Sequence, residues 1–305
     1  MKTSMKLWRA GGLLALVLVG ACSSGNGGTD DGGAGGLYGG VTVEILKDQY
    51  TGFLGTFFDG PSAPMLPLEA RQSQGGCTLY APRAAACGGA CPAGSRCGDG
   101  NKCIVEPAAV GVGVLHVTGL GGMARDAEPT SAATPSYQLV PTLPYPACAE
   151  GDAIGVAADT FALAAICVAD LEVTSAVPIP VMTGQAVHLE WTPPAVLGTS
   201  RVQVELEIAH HGGYKGQIDC DVPDTGKLDI PAPLVTALVS LGRAGYPTVK
   251  IARTSRGTTS AQPHLALTVA SRVELEVDTG VISCGAGASP PCPTGTTCEA
   301  DFTCR

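Results

Sequence analysis

The sequence predicts an all-β protein, one or two antiparallel β-sandwiches with two small disulfide-stapled modules attached. Three observations carry this prediction. Apolar and polar residues alternate at period two in "RVQVELEIAH" and "SRVELEVD", the pattern of strands buried on one face. The composition is 45% hydrophobic but 5% aromatic, with 42 Gly and 23 Pro, so small apolar residues are interrupted by turn formers at short intervals. Finally, one cysteine figure occurs twice, as "CPAGSRCGDGNKC" from Cys91 to Cys103 and "CPTGTTCEADFTC" from Cys292 to Cys304.

Taken from its start, the chain opens with Lys2, Lys6 and Arg9 ahead of the apolar run "GGLLALVLVGA". That run is too short for a spanning helix, so residues 1–21 read as a signal peptide. Its end, "VLVGAC", resembles the bacterial lipobox, with Val19 in the aliphatic slot, Gly20 and Ala21 as the small pair and Cys22 as the acceptor. The resemblance implies diacylglycerol on the Cys22 sulfur, cleavage before Cys22 and acylation of the new amino terminus. Ser23 follows where Asp would signal inner-membrane retention under the enteric sorting rule, which implies an outer-membrane lipoprotein. Three acyl chains exceed the two signals needed for stable anchoring, so the membrane is the first expected partner. Residues 22–36 add "SSGNGGTDDGGAGG", half glycine and unable to bury a core; as a flexible coil it spans about 20 Å.

Cleavage before Cys22 takes the 18 basic residues to 15 against 27 acidic ones, a net charge of −12. Nucleic acid is excluded as a partner class, because phosphate binding needs a basic stripe and none is present.

Of the 13 cysteines, twelve remain after Cys22, an even number in an exported chain, so disulfides are the expectation. Cys87, Cys91, Cys97 and Cys103 are spaced C-x3-C-x5-C-x5-C, and Cys284, Cys292, Cys298 and Cys304 C-x7-C-x5-C-x5-C. Each copy is too short and too polar to bury a core, so two staples must hold it. First-to-third and second-to-fourth pairing is the working assignment among the three that four cysteines allow; four thiolates on zinc are the alternative, disfavoured by export. Cys148 and Cys167 are close in sequence and are expected to pair, leaving Cys77 for Cys220.

Between the modules, Val202, Val204, Leu206 and Ile208 are expected to face inward on one strand and Val273, Leu275 and Val277 on another. Further strands are expected at 41–46, 111–118, 153–158, 162–169, 186–191, 216–222, 247–254 and 264–270. In "PAPLVTALVSLG", Leu234, Leu238 and Leu241 at helical spacing and a closing Gly242 predict a short helix. The stretch "AVHLEWTPP" resembles the second strand of fibronectin type III and related immunoglobulin-like domains, where a buried tryptophan precedes a proline turn. The resemblance implies an immunoglobulin-like sandwich over 171–283. The expected order is thus signal 1–21, lipidated tether 22–36, β segment 37–76, Cys-rich module 77–103, β-sandwich segment 104–170, sandwich 171–283 and Cys-rich module 284–305. The layout also resembles lipoproteins that gliding, predatory soil bacteria carry in large numbers, a resemblance that brings no activity with it.

Candidate chemistry is sparse. Asp224-Thr225-Gly226 and Asp278-Thr279-Gly280 invite comparison with the acid pair of aspartic proteases, whose carboxylates lie about 3 Å apart. The surroundings are polar and the spacing is too short for two lobes, and Asp-Thr-Gly is also a common hairpin turn. His210 and His211 with Cys220 and Asp221 could be assembled into a metal site only from a loop, since strand neighbours point to opposite faces. His116, His188 and His264 are isolated in strand-like runs. No phosphate loop, dinucleotide fingerprint, G-x-S-x-G or H-E-x-x-H is present, so no cofactor and no metal are expected. The sequence therefore points to a lipid-anchored envelope protein that binds or scaffolds, its partner an envelope protein or polysaccharide contacted through the turns at 210–216 and 223–227. A carbohydrate-binding module using Tyr214 and Tyr246 is the first alternative, and a hydrolase using Asp224 and Asp278 the second.

Overall fold

The computed structural model describes residues 36–62, 68–83, 87, 89, 91–98, 101–285 and 291–305. The expected signal peptide, the Cys22 acceptor and the tether up to residue 35 lie outside the described residues. Tyr38–Leu46 (β1) and Tyr50–Phe58 (β2) form a hairpin with Val41, Val43, Ile45, Phe53 and Phe57 buried. Leu68–Gln74 (β3) and Cys77–Pro82 (β4) form a second, turning on Gly75 and Gly76 at φ 62° and 79°, where glycine carries no Cβ penalty. Ser95–Cys97 (β5) and Cys103–Val105 (β6) pair within the first cysteine module. Next come Leu115–Thr118 (β7), Arg125–Ala127 (β8), Ser136–Tyr137 (β9), Leu143–Pro144 (β10), Ala153–Ala158 (β11) and Phe161–Ile166 (β12). Ile179–Pro180 (β13), Val187–Glu190 (β14), Arg201–Glu207 (β15), Gln217–Pro223 (β16) and Lys227–Ile230 (β17) lead to the helix Ala232–Ser240 (α1). Thr248–Thr259 (β18) and Gln262–Asp278 (β19) close the described sheet.

The largest sheet runs β10-β2-β1-β19-β18-β15-β16-β4-β3, and a smaller one β12-β11-β7-β8. Most pairs are antiparallel, but β1 and β13 both run parallel to β19. Among the described residues the protein is all-β with one short helix, in two sandwich-like cores. In the first, Val204, Leu206, Ile218, Val249 and Ile251 of the large sheet pack on Leu189, Trp191, Ile230, Leu234 and Leu238. In the second, Val43, Phe57, Leu267 and Val269 pack on Leu115, Val117, Ile154, Val156 and Leu163.

The hairpin β18–β19 serves both cores, and its polar middle marks their boundary. Arg253 is 1% exposed, Ser255 7% and Ser271 3%, an unusual burial for such residues. Their partners explain it. Ser255 Oγ accepts from Ile166 N (3.0 Å), Arg253 Nη1 donates to Asp170 O (2.7 Å) and Ser271 Oγ accepts from Leu171 N (3.0 Å). Buried backbone groups need partners, and these three side chains supply them to the chain where it crosses from one core to the other.

This sharing corrects the expected spans. The sandwich at 171–283 is not self-contained, because Leu265, Leu267 and Val269 belong to the other core. Cys77 is not part of the first module: it lies on β4, directly opposite Cys220 on β16, and is bonded to it with Cα atoms 4.0 Å apart. The stretch 111–114 is not strand; β7 begins at Leu115, after the positive-φ turn residue Gly113. In α1 the buried residues are Leu234, Val235, Leu238 and Val239, while Leu241 caps the helix at 37% exposure.

The remaining bonds are Cys148–Cys167, Cys87–Cys97, Cys91–Cys103, Cys284–Cys298 and Cys292–Cys304. The two modules share one construction. Ser95 N and Thr296 N bond back to Pro92 O and Pro293 O at 3.0 Å, Gly98 N and Glu299 N to Lys102 O and Thr303 O at 2.9 Å. Two residues before the last cysteine, Asn101 and Phe302 stand at φ 57° and 58°.

On the outer face of β16, Asp219 sits opposite Thr78 on one side and Glu205 on the other. Burial pushes its carboxyl up to about 6; the Gln217 amide opposes the shift and Glu205 adds to it. A folded-state pKa above the unfolded one means that folding discriminates against the ionised form at neutral pH. Asp219→Asn is therefore expected to raise stability at pH 7.5 by about 1–2 kcal/mol, after discounting for partial exposure. Urea unfolding at several pH values checks this: the gain should shrink steadily as pH falls from 6.5 towards 4.

Candidate functional site

The first of the two Asp-Thr-Gly triplets follows β16, and its aspartate is locked. Asp224 is 4% exposed; Oδ2 accepts from Arg253 Nε (2.6 Å) and Ser200 Oγ (2.7 Å), and Oδ1 from Trp191 Nε1 (2.7 Å). Arg253 completes its set by donating from Nη2 to Thr192 O at 2.6 Å. Burial acts to raise the Asp224 carboxyl, but the bonds from Arg253, Ser200 and Trp191 outweigh it and hold the group below the ordinary carboxylate range. Such a carboxylate has no free lone pair facing substrate and no tendency to take a proton. It is a structural anchor within the 223–227 turn, whose Pro223, Thr225 and Lys227 are exposed around it.

Asp278 ends β19 and is exposed, its Oδ1 accepting from Gly280 N at 2.7 Å in a turn of its own. Arg253, the partner of Asp224, lies opposite Ser271, and the strand from Ser271 to Asp278 spans about 23 Å at 3.3 Å per residue. The two carboxylates therefore cannot share a proton, which requires about 3 Å. The metal reading of the His210–His211 turn also fails on placement. Cys220 is disulfide-bonded and Asp221 accepts from Arg201 Nε at 2.6 Å, while His210 Nδ1 lies 3.3 Å from Glu207 Oε2. His116 and His188 face Asp126 and Asp229 across strand pairs at 2.7 and 2.6 Å, and His264 stacks on Tyr38 at 4.3 Å.

What the fold does bring together is a row of rings. His211, Tyr246 and Phe302 lie at centroid spacings of 6.3 and 6.2 Å, with His210 4.0 Å from His211. Tyr246 and Phe302, 37% and 36% exposed, are the two exposed aromatic side chains of Phe, Tyr or Trp among the described residues. They come from different parts of the chain, one before β18 and one in the C-terminal module.

Close backbone approach makes the junction. Gly245 N donates to Asp301 O (2.7 Å), Tyr246 N to His210 O (2.8 Å) and Tyr246 Oη to Cys284 O (3.0 Å). A Cβ on Gly212 would sit 2.6 Å from Asp301 O, so this glycine is required by the packing, and one on Gly285 would press on Tyr246 Oη. Tyr214, the other expected aromatic, is part-buried and donates to Gln217 Oε1 at 2.8 Å. Sequence reasoning named Tyr246 and missed Phe302. Its signal was the alignment of the two modules, where Phe302 takes the left-handed turn position that Asn101 fills in the other copy. Asn tolerates that conformation and a bulky ring costs about 1 kcal/mol there.

No family model matches the chain, and no curated protein matches it. Among solved structures it is similar to a tetra-tandem repeat in the extending region of a large adhesion protein, at 13% identity over 83% of this chain and 78% of that one, with a TM-score of 0.20. It is also similar to the chicken CNTN1 FN1–FN3 domains, at 8% identity over 78% of this chain and 70% of that one, with a TM-score of 0.17. The fold class accordingly rests on the strands, cores and disulfides described above.

Proposed function

We propose that the protein is a non-catalytic, lipid-anchored component of the outer membrane that binds or scaffolds at the cell envelope. One observation carries this reading: the point where the chain enters the fold and the exposed rings lie at opposite ends of β19. Gly36, the last residue of the tether, lies against His264 near the start of that strand. At the other end, Val277 N bonds to Pro247 O, next to Tyr246. The strand between His264 and Val277 spans about 43 Å. A chain held at Cys22 by acyl groups keeps this end of the fold free for contact, and binding needs only a rigid scaffold with exposed loops there. The separation of Asp224 from Asp278 further supports binding over hydrolysis.

Mass spectrometry of the protein extracted from the membrane fraction tests the anchor. The expected amino terminus is Cys22 carrying three acyl chains, and Cys22→Ala should release the protein from that fraction. An unmodified chain beginning elsewhere contradicts the anchor.

A further inference from the structure

We propose that the ring row His211, Tyr246 and Phe302 is a binding site for an uncharged polysaccharide, an inference that rests on the binding role above and names its ligand class. Three features point there. The exposed aromatic side chains of the described protein are gathered into one row rather than scattered. Their spacing is set by disulfides and backbone bonds, with His211 edge-on to Tyr246 at 75° and Tyr246 tilted 33° to Phe302, so the arrangement is held before any ligand arrives, which limits the entropy lost on binding. Phe302 occupies a left-handed backbone position, φ 58°, that its counterpart gives to Asn101; strain of this kind persists where the side chain has a use beyond the fold.

The surroundings fix the chemistry. Flanking the rings are exposed Gly213 and the polar main chain of the module. A pyranose offers an apolar face of C–H groups to a ring and hydroxyls around its edge, matching rings set among polar groups. Charge excludes acidic polymers: Glu299 and Asp301 lie beside Phe302, the cation of Arg305 is already paired with Asp301 at 2.8 Å, and the whole chain carries a net −9.

The test uses the full-length oxidised protein in detergent. Co-sedimentation with cellulose and chitin and affinity electrophoresis in dextran provide the uncharged probes, with polygalacturonate as the acidic control. The wild type should bind at least one uncharged polymer and not the control. Phe302→Asn and Tyr246→Ala should weaken that binding about tenfold or more, the scale for truncating an anchoring aromatic, whereas Tyr246→Phe should stay within about threefold. Because Phe302→Asn copies the sister module, its melting temperature should stay within a few degrees of wild type, and it decides the question should Tyr246→Ala fail to fold. Absence of binding to all three uncharged polymers, preference for polygalacturonate, or wild-type binding by Phe302→Asn would each overturn the proposal. None of these results touches the Cys22 anchor or the complementation of a deletion strain by Asp278→Asn and by a replacement of the 210–214 loop, so failure here and failure of the binding role are told apart.

Discussion

Arg253→Met is expected to destabilise the protein by about 3–5 kcal/mol, because it strands the Asp224 carboxylate among buried groups with no countercharge. It also removes the donors to Asp170 O and Thr192 O, so the crossing between the two cores loses its middle clamp. The pH dependence should change sign with it. In the wild type, the lowered Asp224 pKa contributes stability that is present above the unfolded carboxyl pKa of about 4 and is lost as pH falls through the folded value. Without Arg253 the buried carboxyl is pushed up instead, so the deficit of the variant should narrow as pH falls from 7 towards 4. Guanidinium unfolding of both proteins at pH 7 and pH 4.5 measures this. A variant within 1 kcal/mol of wild type at pH 7 would mean that the cluster does not hold the cores. Asp278→Asn, with its exposed carboxylate in a local turn, should lie within about 0.5 kcal/mol of wild type.

The second large effect concerns Cys77–Cys220, which joins residues 143 apart in sequence. On the chain-entropy model a loop of this length restricts the unfolded state by about 5 kcal/mol, against about 3 kcal/mol for the 19-residue separation of Cys148–Cys167. Replacing both members of each pair with Ala and measuring urea unfolding separates them; a smaller loss for Cys77/Cys220 than for Cys148/Cys167 would show that strand pairing, not loop closure, sets the contribution. The bond also ties the β3–β4 hairpin onto β16, so its loss should expose the sheet edge to limited proteolysis first.

Much of the fold was legible because period-two alternation and turn formers are local signals. Val202, Val204, Leu206 and Ile208 are buried, and α1 falls where Pro231 and Gly242 bracket it. What was not legible depends on pairing across long separations. β2 escaped because Gly52 and Gly55 thin its pattern; Gly55 leaves room for Tyr137 and Leu115, contacts that exist only once β9 and β7 arrive. The sharing of β18–β19 was written in the break "ARTS" within an apolar run. A buried arginine can be recognised only when its partners, over 25 residues away, are in place. For the site, Tyr246 could be named because a tyrosine in a Gly-Pro turn is exposed by default. The ring beside it required the docking of the C-terminal module, and Asp224 looked catalytic because its triplet says nothing of burial.

The central claim is that the protein works by contact at the end of the fold remote from its tether, not by acid-pair chemistry, and complementation of a deletion strain tests it most directly. Asp224→Asn is a poor probe, since it disturbs a buried lock, so Asp278→Asn is set against Phe302→Asn and a glycine-serine replacement of 210–214, with membrane abundance of each confirmed equal. The account predicts that Asp278→Asn restores the wild-type phenotype and that the variants at the ring row and its loop do not. Loss of function in Asp278→Asn, with full function in both of the others, would contradict it.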